Sequence, residues 1–153
     1  MGKLVSVIIH SYNRYDYLEN AISSVLDQTF DDFEIILIND ESTDERYYKN
    51  NFGKKVQQID IKRNEHPRWT GSRQALINIG VEKAKGKYIA LLDDDDYWME
   101  KKLEIQIGEM EKKYFKFSST EGYFGLGKFN PEEKYDLYNR GHFNKVLKKK
   151  YRW

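Results

Sequence analysis

Along the first hundred residues, short apolar runs alternate with stretches whose apolar positions recur every three or four residues. Leu4-Val5-Ser6-Val7-Ile8-Ile9 is β-branched and almost uninterrupted, as expected of a central parallel strand covered on both faces. Leu18, Ala21, Ile22, Val25 and Leu26 then fall at helical spacing behind Asp16, which is expected to be the N-cap. Phe33 to Ile38 predicts a second buried strand, and the alternating stretch Val56 to Ile61 a weaker third. Ser72 or Thr70 is expected to cap a helix running through Ala84, with Leu76, Ile79 and Ala84 inward. Gly86 should end it and open a fourth buried strand, Tyr88 to Leu92, and Leu103, Ile107 and Met110 mark a helix that starts near Met99. Such alternation with short connections predicts an α/β fold: a mostly parallel, Rossmann-like sheet flanked by helices, with right-handed crossovers.

In these sheets ligands sit beyond the carboxyl ends of the strands. Three polar clusters are predicted at that rim: His10–Arg14, Asn39–Asp44 and Asp93–Asp96. A basic, irregular loop over residues 62–71 carries Arg63, His66, Pro67, Arg68 and Trp69. Beyond residue 112 the pattern weakens. Tyr114–Phe117 and Tyr123–Leu126 read as short strands, Gly122, Gly125 and Gly127 as turn or bulge points, and Pro131-Glu132-Glu133 as a helix start. In the last stretch Phe143, Val146, Leu147 and Tyr151 recur at helical spacing among six basic residues.

Charge divides the chain. Its 153 residues, most simply one domain, carry 26 basic and 25 acidic side chains, so net charge gives no nucleic-acid signature. Residues 1–100 hold 13 basic against 18 acidic groups, and residues 101–153 hold 13 against 7, giving an acidic front and a basic, aromatic tail. The absence of cysteine excludes disulfides, thiolate metal sites and cysteine chemistry. No apolar run approaches the roughly 18 residues that suggest a membrane span, and Met1-Gly2-Lys3 does not open a signal peptide. The expectation is a cytoplasmic protein.

The four consecutive carboxylates Asp93 to Asp96, directly after a strand, repel one another and suit a hard divalent cation such as Mg²⁺ or Mn²⁺ that also holds a diphosphate. The rival reading is a solvated acidic turn capping the following helix. Tyr12 could stack on a base and Asp40 could accept from a base N–H, or Asp40 could brace the turn of Ser42, Thr43 and Asp44. Arg63, Arg68 and Arg73 offer guanidinium forks to a diphosphate, with Arg73 best placed before the acidic strand. Trp69 reads either as a sugar-pocket wall or as a loop anchor. His10 lacks a second histidine at metal spacing and is read as lining a pocket.

Val5 to Arg14, Ala21 to Thr29, Glu34 to Asp44 and Ala84 to Asp96, in that order, make the chain resemble family 2 glycosyltransferases of the GT-A fold, including the inverting spore-coat type, over about residues 3–110. The resemblance implies a nucleotide-binding α/β domain over 1–110, with 111–153 a short C-terminal extension packing on it. It implies a nucleotide-diphosphate-sugar donor, UDP-linked by preference, with Mn²⁺ or Mg²⁺ at an Asp-x-Asp motif. Carried over by position, Tyr12 stacks on the base, Asp40 bonds it, and His10 sits where a small residue lines the nucleotide site. Arg14, Arg73, Asp93 and Asp94 complete the donor-binding set, and Asp95 with Asp93 holds the metal. The chain departs from the family pattern at His10, in place of proline, and at Asn39-Asp40-Glu41-Ser42, in place of Asp-Asp-Gly-Ser. Leu76-Ile77-Asn78 replaces Ala-Arg-Asn, which removes one expected arginine.

The implied activity is metal-dependent, inverting transfer of a sugar to a glycan, protein or lipid acceptor. Inverting members use a carboxylate base from a segment well after the metal motif. Only 57 residues follow Asp96, and Glu121, Glu132, Glu133 and Asp136 are unselected candidates, so no catalytic residue is assigned. Three alternatives stay open: a minimal fold, a base from a neighbouring subunit in a homo-oligomer, or a non-catalytic donor-binding or assembly module. A dinucleotide oxidoreductase is disfavoured because no G-x-G-x-x-G follows Ile9 or Ile38. The basic tail suits membrane-surface docking, self-association, an anionic acceptor or packing on the acidic domain.

Overall fold

The computed structural model describes residues 4–63 and 72–137. Four parallel strands make the main sheet: β1 (Val5–Ser11), β2 (Phe33–Asn39), β3 (Val56–Asp60) and β4 (Tyr88–Asp93), in the order β3-β2-β1-β4. Helices α1 (Tyr15–Leu26), α2 (Arg46–Lys49), α3 (Arg73–Lys83) and α4 (Lys102–Lys113) connect or follow them. A separate antiparallel pair joins β5 (Tyr123–Phe124) to β6 (Asp136–Leu137).

Both faces of β1 and β2 are covered, which is why their sequences lack alternation. On one face Val5, Val7, Ile9, Phe33, Ile35 and Leu37 meet Leu18, Ala21, Ile22 and Val25 of α1 and Leu103, Ile107 and Met110 of α4. On the other, Ile36, Ile38 and Ile61 meet Leu76 and Ile79 of α3. Each such buried aliphatic side chain is worth about 1.5–3 kcal/mol against exposure. Buried Gln28 joins α1 to the segment before α4. Its Nε2 donates to the carbonyls of Ser24 (3.0 Å) and Met99 (2.8 Å), and its Oε1 accepts from the Leu103 N–H (2.9 Å).

Several boundaries differ from the sequence expectation. β1 runs on through His10 and Ser11, because both pair in register with β2, His10 opposite Ile38 and Ser11 opposite Asn39. Asp16 is not the N-cap. The α1 cap is Arg14, without a side-chain bond, and Asp16 accepts from Arg46 Nη1 at 2.8 Å. Ser72 does cap α3, accepting from the Ala75 N–H at 3.3 Å. β4 is an edge strand among the described residues. Tyr88, Ala90 and Leu92 face the core, but Ile89 (41% exposed) and Leu91 (51%) do not, so this strand is covered on one side only. Tyr114–Phe117 is not a strand, since Tyr114 adopts φ 58° and terminates α4, whose Met110 carbonyl accepts from the Phe115 N–H (3.0 Å). Tyr123–Leu126 shortens to β5, and Pro131–Glu133 is a turn closed by the Glu133 N–H on the Asn130 carbonyl (3.1 Å). The expectations for residues 64–71 and for the helical spacing of Phe143 to Tyr151 lie outside the described residues.

Gly86 matters through close approach rather than as a helix stop, since α3 already ends at the extended cap Ala84. A Cβ there would stand 2.5 Å from the Ser6 nitrogen and 2.7 Å from the Val5 carbonyl carbon. The Gly86 N–H also donates to Ser6 Oγ at 2.8 Å. Backbone of the central strand cannot yield as a flexible side chain would, so Gly86→Ala is expected to cost about 1–3 kcal/mol. Thermal unfolding of the two proteins checks this, with a fall of roughly 5 °C expected.

Candidate functional site

Strand order reverses between β1 and β4, and a polar rim gathers at that switch point. His10 lies opposite Asp93 in the β1–β4 register. One residue on, Ser11 Oγ donates to Asp94 Oδ2 (2.7 Å) and also contacts the Tyr47 hydroxyl (2.5 Å). A serine hydroxyl has a single proton, so with that proton on Asp94 the tyrosine is the donor to Ser11. The Arg14 N–H in turn donates to the Tyr47 oxygen at 3.0 Å. Tyr47 is fully buried beneath the rim, packed edge-on against Tyr15 with ring centroids 5.4 Å apart. A polar chain therefore runs from the loop after β1, through α2, to the aspartate turn.

The four aspartates have four different surroundings. Asp93 pairs with Arg73, the first residue of α3. Asp94 is buried, 4% exposed, with Arg14 Nη1 at 3.2 Å in addition to Ser11. Asp95, its side chain 44% exposed, takes Arg14 Nη2 at 2.6 Å. The Asp96 N–H closes the turn on the Asp93 carbonyl (3.1 Å). Arg14 thus bridges two of the carboxylates, and its bond to Asp95 raises its pKa further.

Burial pushes Asp94 above the usual carboxylate range despite Ser11 and Arg14. Asp96 is raised too, by burial first and then by the charges of Asp93 and Asp95. A carboxyl whose pKa is raised in the fold holds its proton longer there than in the unfolded chain. Its stabilising contribution is complete below the unfolded value and is lost as pH climbs through the folded one. Asp94→Asn removes that loss at position 94. The melting temperature of Asp94→Asn relative to wild type is therefore expected to be higher at pH 7 than at pH 3.5. An equal or reversed difference in thermal melts at the two pH values would contradict it.

Across the rim, exposed Tyr12 and buried Asp40 lie together, joined by Arg63. The Arg63 guanidinium sits 4.3 Å from the Tyr12 ring centroid. Its Nε donates to Asp40 Oδ1 (3.1 Å) and its Nη2 to Oδ2 (2.7 Å). Asp40 does not brace the following turn. Asn39 Oδ1 does, accepting from the Ser42 N–H (3.1 Å), and Asn13 Oδ1 accepts from the Thr43 N–H (2.7 Å). Asn13 holds φ 50°, a left-handed conformation that asparagine tolerates better than most residues. His10 Nε2 is buried with no hydrogen-bond partner among the described residues, and burial, then the charge of Arg73, holds the imidazole pKa below 6.5.

The structure thus brings His10, Arg14, Arg73 and Asp93 to Asp95 to one rim, with Tyr12 and Asp40 across it beside Arg63. Arg63 lies with Asp40 rather than with the aspartate run, and Arg68 and Trp69 fall outside the described residues. Ser11 and Asn13 fall within the polar cluster expected at the strand end but had no role assigned there, and Tyr47 was not among the candidates. Asn13, a φ-tolerant residue just past a strand, was the one with a local signal.

The donor set fits a hard cation. Asp93 and Asp95 each engage one oxygen in an ion pair and retain the other. Among the described residues no three His, Cys, Asp or Glu side chains converge as a ready metal cluster. The protein would supply two carboxylates at most, and phosphate and water the remainder, a pattern normal for Mg²⁺. The acidic-cap reading loses its basis, because α4 begins only at Lys102 with Lys101 as its cap and Glu104 as the acid of its first turn.

A parallel sheet with a polar, arginine-laced rim at its switch point defines the class, an α/β domain of the GT-A kind. The model of glycosyl transferase family 2 matches residues 6–152, and the chain belongs to that family. A protein of Rickettsia bellii, described as an uncharacterized glycosyltransferase, is 44% identical over 118 residues, covering 76% of this chain and 16% of its own length. The Escherichia coli UDP-Glc:alpha-D-GlcNAc-diphosphoundecaprenol beta-1,3-glucosyltransferase WfaP is 40% identical over 119 residues, 76% of this chain and 46% of that protein. The crystal structure of residues 1–349 of Staphylococcus aureus TarS shares the fold with a TM-score of 0.60 at 23% identity, over 72% of this chain and 33% of that one. The chain therefore spans less than half the length of these relatives.

Proposed function

We propose that the rim binds a nucleoside-diphosphate sugar, with uridine favoured, and forms the donor site of a metal-dependent, inverting glycosyl transfer. The observation that carries this reading is the placement of a stacking ring with a buried acceptor, Tyr12 and Asp40, across the β1–β4 switch point from an acidic turn laced with arginine. WfaP by its name uses a UDP-sugar and a lipid-diphosphate saccharide, and TarS has been solved with UDP and with UDP-GlcNAc. Both support a uridine donor here, and the first favours a lipid-linked saccharide among the glycan, protein and lipid acceptors.

In this reading Tyr12 offers its ring face to the base, and Asp40 accepts the N–H that a uracil edge presents. His10 lines the floor between them and the acidic turn. Arg14 and Arg73 hold positive charge where the diphosphate lies, with Asp93 and Asp94 fixing their guanidinium groups. Asp95 and Asp93 would hold Mn²⁺ or Mg²⁺, which supplies neutralisation of the charge on a departing diphosphate. Inversion requires a carboxylate that takes the acceptor hydroxyl proton as that oxygen bonds to the anomeric carbon. In the proposed division into 1–110 and 111–153, this chain's candidate carboxylates, Glu121, Glu132, Glu133 and Asp136, lie in the second part. Tyr97, next to the aspartates, stacks on Phe129 at 4.2 Å, and Phe129 on Tyr135 at 5.5 Å. That ladder ties the segment carrying Glu132, Glu133 and Asp136 to the turn. Glu133 is already engaged by Asn130 Nδ2 at 3.2 Å, and nothing selects between the others. The rival reading, a donor-binding module without its own base, draws on that same gap.

Calorimetric titration with UDP tests the reading. Tyr12→Ala is expected to weaken binding by roughly tenfold or more, the value of one stacked base. Affinity unchanged in Tyr12→Ala would remove the base site. Transfer from a UDP-sugar, absent despite tight UDP binding, would favour the module.

A further inference from the structure

Arg63 stands where the base is expected to stand. A pyrimidine on this rim would make two contacts, its flat face against Tyr12 and an N–H toward Asp40. The Arg63 guanidinium, also planar and rich in N–H donors, makes both at once, lying 4.3 Å from the Tyr12 ring centroid and forking Asp40 at 3.1 and 2.7 Å. The surroundings favour this occupant. Asp40 is buried at 5% exposure, so its charge calls for a donor. Tyr12, 44% exposed, offers a π face for the guanidinium to cover. Arg63 follows directly on Ile61 and Lys62 after β3, and Ile61 is anchored in the α3-side core, with its N–H on the Asn39 carbonyl at 2.8 Å. The Asp40 N–H is fixed as well, donating to the Ser11 carbonyl at 3.0 Å. The arginine is thus delivered to this position from a short tether, and both of its partners sit on fixed strand ends.

We propose that Arg63 is a built-in competitor for the nucleobase, an autoinhibitory contact that holds the base half of the donor site closed until a nucleotide displaces it. The proposal rests on the donor-site reading above. A guanidinium and a base cannot both cover the same face of Tyr12 while donating to the same carboxylate. Nucleotide binding therefore includes the loss of the Arg63–Asp40 fork, and the apparent affinity is lower than the intrinsic one by the fraction of molecules in which Arg63 has moved aside. A base that stacks but presents no N–H to Asp40 would displace the fork and leave a buried carboxylate without its donor, which disfavours such bases.

The test is UDP titration of wild type, Arg63→Ala and Arg63→Lys, with Tyr12→Ala as the control for the base site itself. Arg63→Ala is expected to bind UDP roughly three- to tenfold more tightly, the value of an ion pair whose arginine still meets solvent, together with a cation–π contact. Arg63→Lys should lie between, because an ammonium can pair with Asp40 but has no flat face to lay on the ring. Guanidinium chloride at low millimolar concentration, against sodium chloride at equal ionic strength, should weaken UDP binding to Arg63→Ala and leave wild type nearly unchanged. Unchanged or weaker UDP binding by Arg63→Ala, in a protein where Tyr12→Ala weakens binding by roughly tenfold or more, would overturn the proposal and leave the donor site standing. Binding that neither Tyr12→Ala nor Arg63→Ala alters would overturn the donor-site reading and the proposal together.

Discussion

Tyr47→Ala is expected to lower the unfolding free energy by about 3–5 kcal/mol, the range for removing a large aromatic ring from a packed core. Tyr47 has no exposed surface, and its ring packs with Tyr15 in the main core cluster. Its hydroxyl also carries the Ser11 contact and accepts the Arg14 N–H. The substitution therefore opens a cavity and undoes the support of Asp94 in one step. Urea denaturation should show the midpoint moving without a change in slope. Tyr47→Phe separates the two contributions. It keeps the ring and removes the hydroxyl, leaving a backbone donor and a serine oxygen without a partner, and about 1–3 kcal/mol is expected. A Tyr47→Phe cost equal to that of alanine would mean that the hydroxyl, not the ring, carries the stability. A negligible cost for Tyr47→Ala would contradict the placement of this side chain altogether.

Tyr47 also shows where sequence reading stopped. The α2 helix has four residues, Arg46–Lys49, too short for any periodicity to announce its inward side. Nothing in the local sequence says that Tyr47 is buried while its neighbour Tyr48 is half exposed. The strands of the sheet were legible because β1 and β2 are buried on both faces, which forces continuous apolar runs. The same signal misled at β4, where Tyr88-Ile89-Ala90-Leu91-Leu92 reads as doubly covered and yet exposes Ile89 and Leu91. Apolar content reports that a strand exists; coverage depends on what the rest of the fold places beside it.

The rim was legible as a place, since three strand ends each ran into polar residues. Its pairings were not. Arg63 read as a diphosphate ligand because guanidinium chemistry suits phosphate, but among the described residues its fork lies on Asp40, 23 residues earlier. Asn39 and Asn13 do the turn-bracing that was the rival role of Asp40, through side-chain carbonyls that sequence spacing alone does not rank. A helix cap was the rival reading of the acidic run, and the gap between Asp96 and Lys102 separates the run from α4.

The largest functional effect is expected at Asp95. This carboxylate is exposed, it retains one oxygen outside its Arg14 pair, and it lies beside buried Asp94, which holds Ser11 and the other arm of Arg14. Asp95→Ala therefore removes the proposed cation ligand at little structural cost. It also releases one arm of Arg14, whose other arm remains on Asp94 (3.2 Å), so a positive charge is left for the diphosphate. Metal-free UDP binding should then hold or tighten, and only the response to metal should disappear. Asp94→Ala would make a poorer test, since it strips Ser11 of its acceptor and Arg14 of a partner and mixes folding with binding.

The measurement that decides the central claim is calorimetric titration of UDP into wild type and Asp95→Ala, each with and without Mn²⁺. Mn²⁺ is expected to tighten UDP binding to wild type by roughly tenfold or more, about 1.4 kcal/mol, and to leave Asp95→Ala unaffected. Equal UDP affinity in all four titrations would contradict it.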